Sequence, residues 1–427
     1  MTPGGRGAGR DAGRAARPGA RGRGRGVAPT PDALRREALA RALRFEAPAD
    51  AVLRGFFREH PALGRRDRGE IAEAVFDVLR NRRLYAHLAQ TGSGPIEERL
   101  LALSRRRRDG QLEIPPLPFA VRCSLPDWLA DALVAGHGPQ RAESLAAALL
   151  ESAPLDLRVN TLKSDAAAVL ASLATAGIEA RALPQVPNAL RVAGKPALER
   201  SAAFESGWCE VQDAGSQLLA LLVAPRRGQT VVDLCAGAGG KTLALAAAMR
   251  STGQLYACDV SAPRLLRMRR RLERCGATNV QPMALAGDHD ARLQRLHGRA
   301  DAVLVDAPCT GTGTLRRNPD LKWRTGPADV ARLVVAQRAI VAAAVPLLRP
   351  GGALVYATCS LLAQENDEQV EWFEAQHPDW LRRPAAQVLQ AQGARLDAQA
   401  TAGGLLRLLP DRDGCDGFFA VRWERPK

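Results

Sequence analysis

The segment Val231-Val-Asp-Leu-Cys-Ala-Gly-Ala-Gly-Gly-Lys-Thr242 indicates the fold of this chain most clearly. It is typical of a short buried strand, a glycine-rich turn and the first turn of a helix. A phosphate-binding P-loop would need glycine where Cys235 stands, and a dinucleotide fingerprint that begins at Gly237 would need glycine in place of Thr242. Both of these common glycine-rich sites are therefore excluded.

An acid at the end of the strand and three glycines remain: Asp233, Gly237, Gly239 and Gly240. This pattern suits S-adenosylmethionine, which has no phosphate but needs close approach of the backbone. The next strand ends in Asp259, where an acid can accept hydrogen bonds from both ribose hydroxyls, and Asp288 follows the third strand, where it can bind an adenine amino group. Each aspartate alone is typical of a helix cap or a turn, but the series favours a cofactor cleft.

Strands and helices alternate after Gln212. The predicted strands are 230–234, 254–260, 280–285, 302–306, 353–358 and 417–423. This alternation predicts a parallel, doubly wound α/β sheet, in which ligands bind beyond the carboxyl ends of the strands.

Composition and the spacing of apolar residues divide the chain into four segments. Residues 1–30 are rich in arginine and glycine, and we expect a disordered tail that either adds weak RNA affinity or is merely solvated. Residues 31–150 carry apolar residues at helical spacing and predict an all-helical domain. Residues 151–212 predict a small α+β unit, and residues 213–427 the catalytic domain.

The composition limits the classes of protein to which this chain can belong. The chain has 427 residues and a formal net charge of +15, which favours a nucleic-acid partner, although an arginine-rich proteome gives the same excess. Its eight cysteines form no C-x-x-C pair and its histidines show no ligand spacing, so we expect neither a metal site nor a disulfide framework. Without a signal peptide or an obvious membrane span, a cytoplasmic protein is expected.

Two cysteines directly follow predicted strands, in Asp306-Ala-Pro-Cys309 and in Thr358-Cys359-Ser360. A lone cysteine is usually a small buried hydrophobe, which is our interpretation of the cysteines elsewhere in the chain. At the ligand-binding edge of a sheet, however, a thiolate can attack C6 of cytosine and make C5 nucleophilic toward a methyl donor. An acid at ring N3 and a group that assists release of the product complete such a site, and Asp306 and the second cysteine can supply them.

The chain resembles the RsmB/NOP-type (Sun/Fmu) RNA cytosine-C5 methyltransferases, and most closely their bacterial RsmB branch. The motifs that carry the resemblance are Leu157-Arg-Val-Asn-Thr-Leu-Lys163, Val211-Gln-Asp-Ala-Gly-Ser-Gln217, Asp306-Ala-Pro-Cys-Thr-Gly-Thr-Gly313, Arg317-Asn-Pro-Asp320, Leu348-Arg-Pro-Gly-Gly352, Thr358-Cys-Ser360 with Glu365-Asn366, and Asp416-Gly-Phe-Phe419. The resemblance implies a Rossmann-like class I methyltransferase domain, an RRM-like unit before it and a NusB-like N-terminal domain.

The resemblance also implies roles for individual residues. Cys359 is the implied nucleophile and Cys309 assists product release, while the reverse assignment, known from DNA enzymes with a Pro-Cys motif, is the alternative. Asp306 and Lys241 join them in the implied active site. The implied cofactor-binding residues are Asp233, Cys235, Ala236, Gly237, Ala238, Gly239, Gly240, Lys241, Asp259, Arg264, Asp288 and Asp306.

The cofactor loop departs from the family pattern. The usual Cys-Ala-Ala-Pro-Gly-Gly-Lys-Thr is here Cys235-Ala-Gly-Ala-Gly-Gly-Lys-Thr242, so Ala238 stands at the position of the proline. Losing the proline is expected to loosen the turn modestly, since proline restricts the unfolded chain.

The target RNA stays open at this point. Small-subunit (16S) ribosomal RNA is the leading expectation, with transfer RNA or another RNA site as the alternative, and a non-catalytic RNA-binding assembly factor as a hypothesis of another class. The expected basic surfaces are the helical domain, Arg158 with Lys163, and a helix rich in arginine. The arginines of that helix are Arg264, Arg267, Arg269, Arg270, Arg271 and Arg274. We expect a monomer.

Overall fold

The computed structural model describes residues 30–287 and 290–427. The expected disorder of the N-terminal tail and the expected adenine contact of Asp288 therefore lie outside the described residues and stay predictions.

The described part of the chain starts with a bundle of amphipathic helices. They are α1 (Pro31–Ala42), α2 (Ala49–Glu59), α3 (Arg65–Arg80), α4 (Arg82–Leu88) and α5 (Ile96–Arg108). Thr30 caps α1 by accepting a hydrogen bond from the Ala33 amide, and Pro31 occupies the first helical position, where its missing N–H costs nothing. The helices bury one shared core, which includes Leu39, Phe56 and Tyr85.

Three further helices belong to a different core. They are α6 (Phe119–Arg122), α7 (Asp127–His137) and α8 (Pro139–Leu149). Leu129 and Leu145 of this group pack with Leu361 and Leu409, which lie far along the chain in the C-terminal domain. The helical region is thus split into two packing units.

A small antiparallel sheet follows. Its elements are β1 (Leu155–Val159), α9 (Ala166–Thr175), β2 (Ala180–Ala182), β3 (Ala189–Val192), α10 (Ala202–Glu205) and β4 (Cys209–Val211). The strand order is β2-β3-β1-β4, and α9 and α10 pack on one another beside it. Its core includes Leu157, Val169 and Leu190.

The C-terminal domain is built on a mixed sheet. Its strands are β5 (Thr230–Asp233), β6 (Gln254–Asp259), β7 (Val280–Ala284), β8 (Ala300–Asp306), β9 (Leu348–Thr358), β10 (Leu381–Arg382), β11 (Leu406–Leu408) and β12 (Phe418–Glu424). The order along the sheet is β10-β12-β9-β8-β5-β6-β7, and β11 pairs with β12. Strands β5 to β9 are parallel to one another. The expected Rossmann-like methyltransferase fold is confirmed, with the difference that β12 runs antiparallel to β9.

Helices surround this sheet, and those at 214–223, 240–248, 262–275 and 327–344 pack on its strands. They are α11 (Ala214–Val223), α12 (Gly240–Ala248), α13 (Ala262–Cys275), α14 (Ala291–Gln294), α15 (Leu321–Arg324), α16 (Pro327–Ala344), α17 (Asp367–Gln376), α18 (Ala385–Ala391) and α19 (Pro410–Asp413). Short 3-10 turns lie at Leu198–Arg200, Thr312–Thr314, Val345–Leu347, Ala363–Glu365 and Ala398–Gly404. Two buried apolar clusters, one around Leu304 and Val355 and one around Val303 and Tyr356, lie on the two faces of the sheet, as alternate residues of β8 and β9 require.

The N-terminal helical bundle is joined to the C-terminal domain by polar contacts. The ammonium group of Lys322 donates to the carbonyl of Arg80 at 2.9 Å, and the indole N–H of Trp323 donates to the carbonyl of Leu79 at 2.8 Å. These carbonyls belong to the last turn of α3, which has no backbone partners for them. Helix α15 therefore caps α3, and the two regions are docked at this point.

Candidate active site

The glycine-rich turn runs from the end of β5 to the start of α12. Gly237 and Gly239 adopt left-handed backbone conformations, with φ of 56° and 88°. A side chain at Gly239 would lie 2.5 Å from the Cγ atom of Met268, so the close packing of α13 also requires glycine there. The turn thus keeps a shape that leaves backbone atoms facing the edge of the sheet.

Two aspartates at the ends of β5 and β6 support this turn through hydrogen bonds. Asp259, at the end of β6, accepts hydrogen bonds from the amides of Gly237 at 2.8 Å and Ser261 at 2.7 Å. Asp233, at the end of β5, accepts from the hydroxyl of Thr242 at 2.7 Å, while its other oxygen is buried without a partner. Burial raises the pKa of Asp233 to about 7. Both side chains line the neighbouring cavity.

An arginine of α13 also binds the backbone of this turn. Arg271 donates to the carbonyl oxygen of Ala238 at 2.7 Å and to the carboxylate of Glu210 at 2.8 Å. Glu210 lies on β4 and is 2% exposed, and it also pairs with Arg274. The small antiparallel sheet is thereby connected to the glycine-rich turn through one side chain.

A cavity of about 590 Å³ lies beyond the carboxyl ends of β5, β6, β8 and β9. The predicted residues that line it are Asp233, Cys235, Ala236, Gly237, Ala238, Gly240, Lys241, Asp259, Arg264, Asp306, Cys309 and Cys359. Gly239 packs on Met268 behind the turn instead. The structure therefore brings the glycine-rich turn and both cysteine motifs to one cavity.

Lys241 and Asp306 form an ion pair inside this cavity. The ammonium nitrogen lies 2.6 Å from Asp306 Oδ2, and the Lys241 side chain is 11% exposed. Burial acts to lower the pKa of Lys241, but the charge and hydrogen bond of Asp306, with smaller effects of Cys359 and Asp233, more than offset burial and raise that pKa. Lys241 is therefore held as a cation next to the reactive end of the cavity.

The two cysteines meet although fifty residues separate them. Their sulfur atoms are 3.3 Å apart, and the Cys359 amide donates to the Cys309 sulfur at 3.4 Å. Strands β8 and β9 are adjacent and parallel, so residues that follow their ends come together. The hydrogen bond with Cys359, together with burial, raises the pKa of the Cys309 thiol well above its usual value, so Cys309 is held protonated.

Other residues line the cavity without a role having been predicted for them. Gln212, Asp213 and Ser216 belong to one motif, which the sequence indicated only as a mark of the family. Arg271 was counted among the surface arginines, although Arg264 and Arg271 are two helical turns apart and so share a face. That spacing was the signal for a joint position at the cavity.

The expected basic surface at Arg158 is wrong. Its side chain is 7% exposed, and its Nε atom donates to Gln212 at 2.7 Å. Burial lowers the pKa of Arg158 to about 10. Lys163 is exposed, but its ammonium group donates to the carbonyls of Arg274 and Ser206, so it serves the packing of α13.

The expected absence of a metal site and the expected absence of a membrane span remain predictions. In the part of the chain that the structure describes, no group of three or more His, Cys, Asp or Glu side chains is arranged to hold a metal ion. One segment among these residues, Pro327–Leu347, is long and apolar enough to cross a membrane by length and composition. It contains α16, whose residues Ile340, Val341 and Ala344 pack on the sheet.

Comparison with known proteins gives two family matches. The family described as 16S rRNA methyltransferase RsmB/F matches residues 220–424. The family described as the ferredoxin-like domain of RsmF/B-like methyltransferases matches residues 125–199, a range that includes α7 and α8 as well as most of the small sheet. The predicted boundary at residue 150 stays a prediction.

Individual relatives agree with these families. The chain is 38% identical over 304 residues to the probable ribosomal RNA small subunit methyltransferase B of Synechocystis, covering 71% of this chain and 67% of that one. It is 32% identical over 311 residues to the Bacillus subtilis protein of the same name, covering 72% and 68%. The matches thus span about two thirds of the length of these relatives.

A solved structure agrees over almost the whole chain. The crystal structure of PH0851 superposes with a TM-score of 0.76 at 26% identity, covering 93% of this chain and all of that one. Together with the sequence matches, this shows that the chain belongs to the RsmB/F family of methyltransferases.

Proposed function

We propose that this protein transfers a methyl group from S-adenosylmethionine to C5 of a cytosine in 16S ribosomal RNA, through a covalent bond between Cys359 and C6 of the base. The observation that carries the proposal is the pair of sulfur atoms 3.3 Å apart in the cavity that the glycine-rich turn also lines. C5 methylation of cytosine needs a thiolate next to a methyl-donor site and a group that assists release, and the second thiol can be that group.

The residues at the glycine-rich turn fit the cofactor. The left-handed glycines leave room for a close backbone approach, and each carboxylate oxygen of Asp259 retains a lone pair that a ribose hydroxyl can use. When bound there, S-adenosylmethionine would supply an electrophilic methyl group on its sulfonium.

The chain's own residues divide the remaining work. The Cys359 thiolate forms a bond to C6, the electron pair of the C5–C6 double bond shifts to C4–C5, and the C4–N3 pair shifts onto N3, where charge develops. Asp306 has one oxygen engaged with Lys241; its other oxygen, when it carries a proton, can donate that proton to N3 as the charge develops, and Lys241 then stabilises the carboxylate that remains. C5 then takes the methyl group.

The second cysteine, Cys309, is assigned to the release of the product. Loss of the C5 proton and cleavage of the bond between Cys359 and C6 restore the aromatic ring, and Cys309 is the group next to that bond. Because the raised pKa keeps Cys309 protonated in the free enzyme, its thiol can donate its proton to the Cys359 sulfur as that sulfur leaves C6, and the resulting Cys309 thiolate can take the C5 proton. This favours Cys359 over Cys309 as the nucleophile.

The RNA partner is supported by charge and by the relatives. The arginines of α13 that are exposed and have no acidic partner among the described residues are Arg264, Arg267, Arg269 and Arg270. Arg264 lines the mouth of the cavity, so this surface leads to the reactive sulfurs. The target base must be unpaired or extruded to reach them, at a cost of a few kcal/mol that backbone contacts can offset.

The experiment is bisulfite sequencing of protein-free 16S rRNA after incubation with the protein and S-adenosylmethionine. One protected cytosine is expected for the native chain and none for Cys359→Ala. Cys123→Ala is the matched control, because Cys123 is buried in the α6–α8 core, away from the cavity. Methylation of transfer RNA alone would move the target, and methylation by Cys359→Ala at the native rate would overturn the proposed chemistry.

A further inference from the structure

The proposed mechanism leaves one buried acid without a role. Glu365 lies in the 3-10 turn that follows Cys359, and its side chain is fully buried. No Lys, Arg or His forms an ion pair with it in residues 30–287 and 290–427. Burying a carboxylate without a cation is costly unless hydrogen bonds satisfy its oxygens, so its partners show what it is held for.

Those partners flank the other cysteine. Glu365 Oε1 accepts from the Thr310 amide at 2.9 Å, and Oε2 accepts from the Thr310 hydroxyl at 2.5 Å. Gln337 donates both to Glu365 Oε1 and to the carbonyl of Pro308, each at 3.0 Å. The residues on both sides of Cys309 are thus fixed by one buried carboxylate and one amide.

The same acid is fixed to the strand that carries Cys359. The phenol of Tyr356, on β9, lies 2.7 Å from the backbone carbonyl of Glu365. Asn366 accepts from the Thr358 hydroxyl at 2.6 Å and donates to the carbonyl of Ser360 at 2.9 Å, which closes the turn around Cys359. Glu365 therefore bridges the two loops that present the sulfur atoms.

We propose that Glu365 is a positioning residue that holds the Cys309 thiol against Cys359 by clamping Thr310. Its importance for methyl transfer rests on the proposed function, but the clamp itself is a property of the protein alone. Without it, the Pro308–Thr310 segment would keep the contact of Gln337 with the Pro308 carbonyl and the weak contact of the Thr310 hydroxyl with Ser360 at 3.3 Å, and the two sulfurs would spend less time in contact.

The test measures how often the sulfurs meet, without RNA or cofactor. The full-length protein is treated with diamide, a diazene that accepts two electrons and two protons from two thiols. The two thiols become a disulfide and the diazene becomes a hydrazine. The rate of the Cys309–Cys359 cross-link is followed by loss of two hydrogens in the intact mass and by mapping of the linked peptides.

Three variants separate positioning from general stability. Glu365→Ala is expected to cross-link about tenfold more slowly or worse, since a displacement near 1 Å can cost about a hundredfold in proximity-driven reactions. Glu365→Gln can keep the contacts to Thr310 and Gln337, and is expected to restore the native rate. Tyr356→Phe is the matched control: it removes the phenol contacts with the Glu365 carbonyl and with Gln337, but it leaves both contacts between Glu365 and Thr310, and it is expected to cross-link near the native rate.

Cross-linking of a folded Glu365→Ala variant at the native rate would overturn the clamp, and so would a Glu365→Gln rate as slow as that of Glu365→Ala. If Glu365→Ala does not fold, Thr310→Val, which removes the hydroxyl contacts with both Glu365 and Ser360, must slow the cross-link more than Ser360→Ala, which spares the contact between Thr310 and Glu365. A native protein that cross-links as expected but does not methylate cytosine would refute the proposed function and leave the clamp standing.

Discussion

The helices α6 to α8 are expected to be part of the folding unit of the C-terminal domain. Apolar side chains of that domain are buried in the core that these helices share: Leu315, Val330, Leu361, Leu362 and Leu409. Each is at most 8% exposed. A fragment that starts at residue 151 would uncover them, whereas one that starts at residue 119 would keep them covered.

The magnitude follows from the buried surface. Full burial of a leucine or valine side chain is worth about 1.5–3 kcal/mol, so five side chains that lose half of their cover would lose about 4–8 kcal/mol. The entire stability of a domain is about 5–15 kcal/mol. In the 119–427 fragment, Lys322 and Trp323 no longer have α3 as a hydrogen-bond partner, but water can take its place.

The assay is thermal unfolding and size-exclusion chromatography of both fragments beside the full chain. We expect the 119–427 fragment to give one sharp transition and to bind S-adenosylmethionine with the affinity of the full chain. The 151–427 fragment is expected to aggregate or to lack a cooperative transition. Equal melting temperatures for the two fragments would refute the reasoning and place the boundary near residue 150.

Two further predictions concern single side chains. Arg271→Ala is expected to weaken binding of S-adenosylmethionine about tenfold, or about 1.4 kcal/mol, because the Ala238 carbonyl loses its partner. Isothermal titration measures this change, and Arg270→Ala, at a neighbouring exposed arginine, is the control that is expected to leave the affinity unchanged. Burial lowers the pKa of Lys322 from 10.5 to about 7, so between these values the unfolded chain binds the proton that the folded chain releases. The unfolding free energy of the native chain is therefore expected to rise between pH 7 and pH 9.5, as measured by denaturant unfolding. Lys322→Met should lack this rise, and an equal rise in that variant would contradict the buried position of Lys322.

The sequence predicts the fold where local pattern and order along the chain suffice. The strands that carry the site lie within a few residues of their predicted ends, and parallel order alone brings Asp259, Asp306, Cys309 and Cys359 to one edge. The antiparallel direction of β12 was not predicted, because a strand pattern carries no direction.

The rest depends on partners that are distant in sequence. Periodicity identifies the apolar faces of α7 and α8 but not the leucines of the C-terminal domain that cover them. Arg158 was expected on the surface because charged residues usually lie there, whereas Gln212 binds it in the interior. The contact of Arg271 with Ala238 joins a helix and a turn whose distance only the folded sheet defines.

In the proposed reaction, Cys359 bonds covalently to the RNA base and Cys309 assists its release. The direct measurement is denaturing electrophoresis and peptide mapping of protein incubated with S-adenosylmethionine and 16S rRNA. Cys309→Ala is expected to accumulate a denaturation-resistant complex, with a methylated cytosine attached at Cys359, and Cys359→Ala is expected to form none. A complex formed by Cys359→Ala, with the base attached at Cys309, would contradict the account and exchange the roles of the two cysteines.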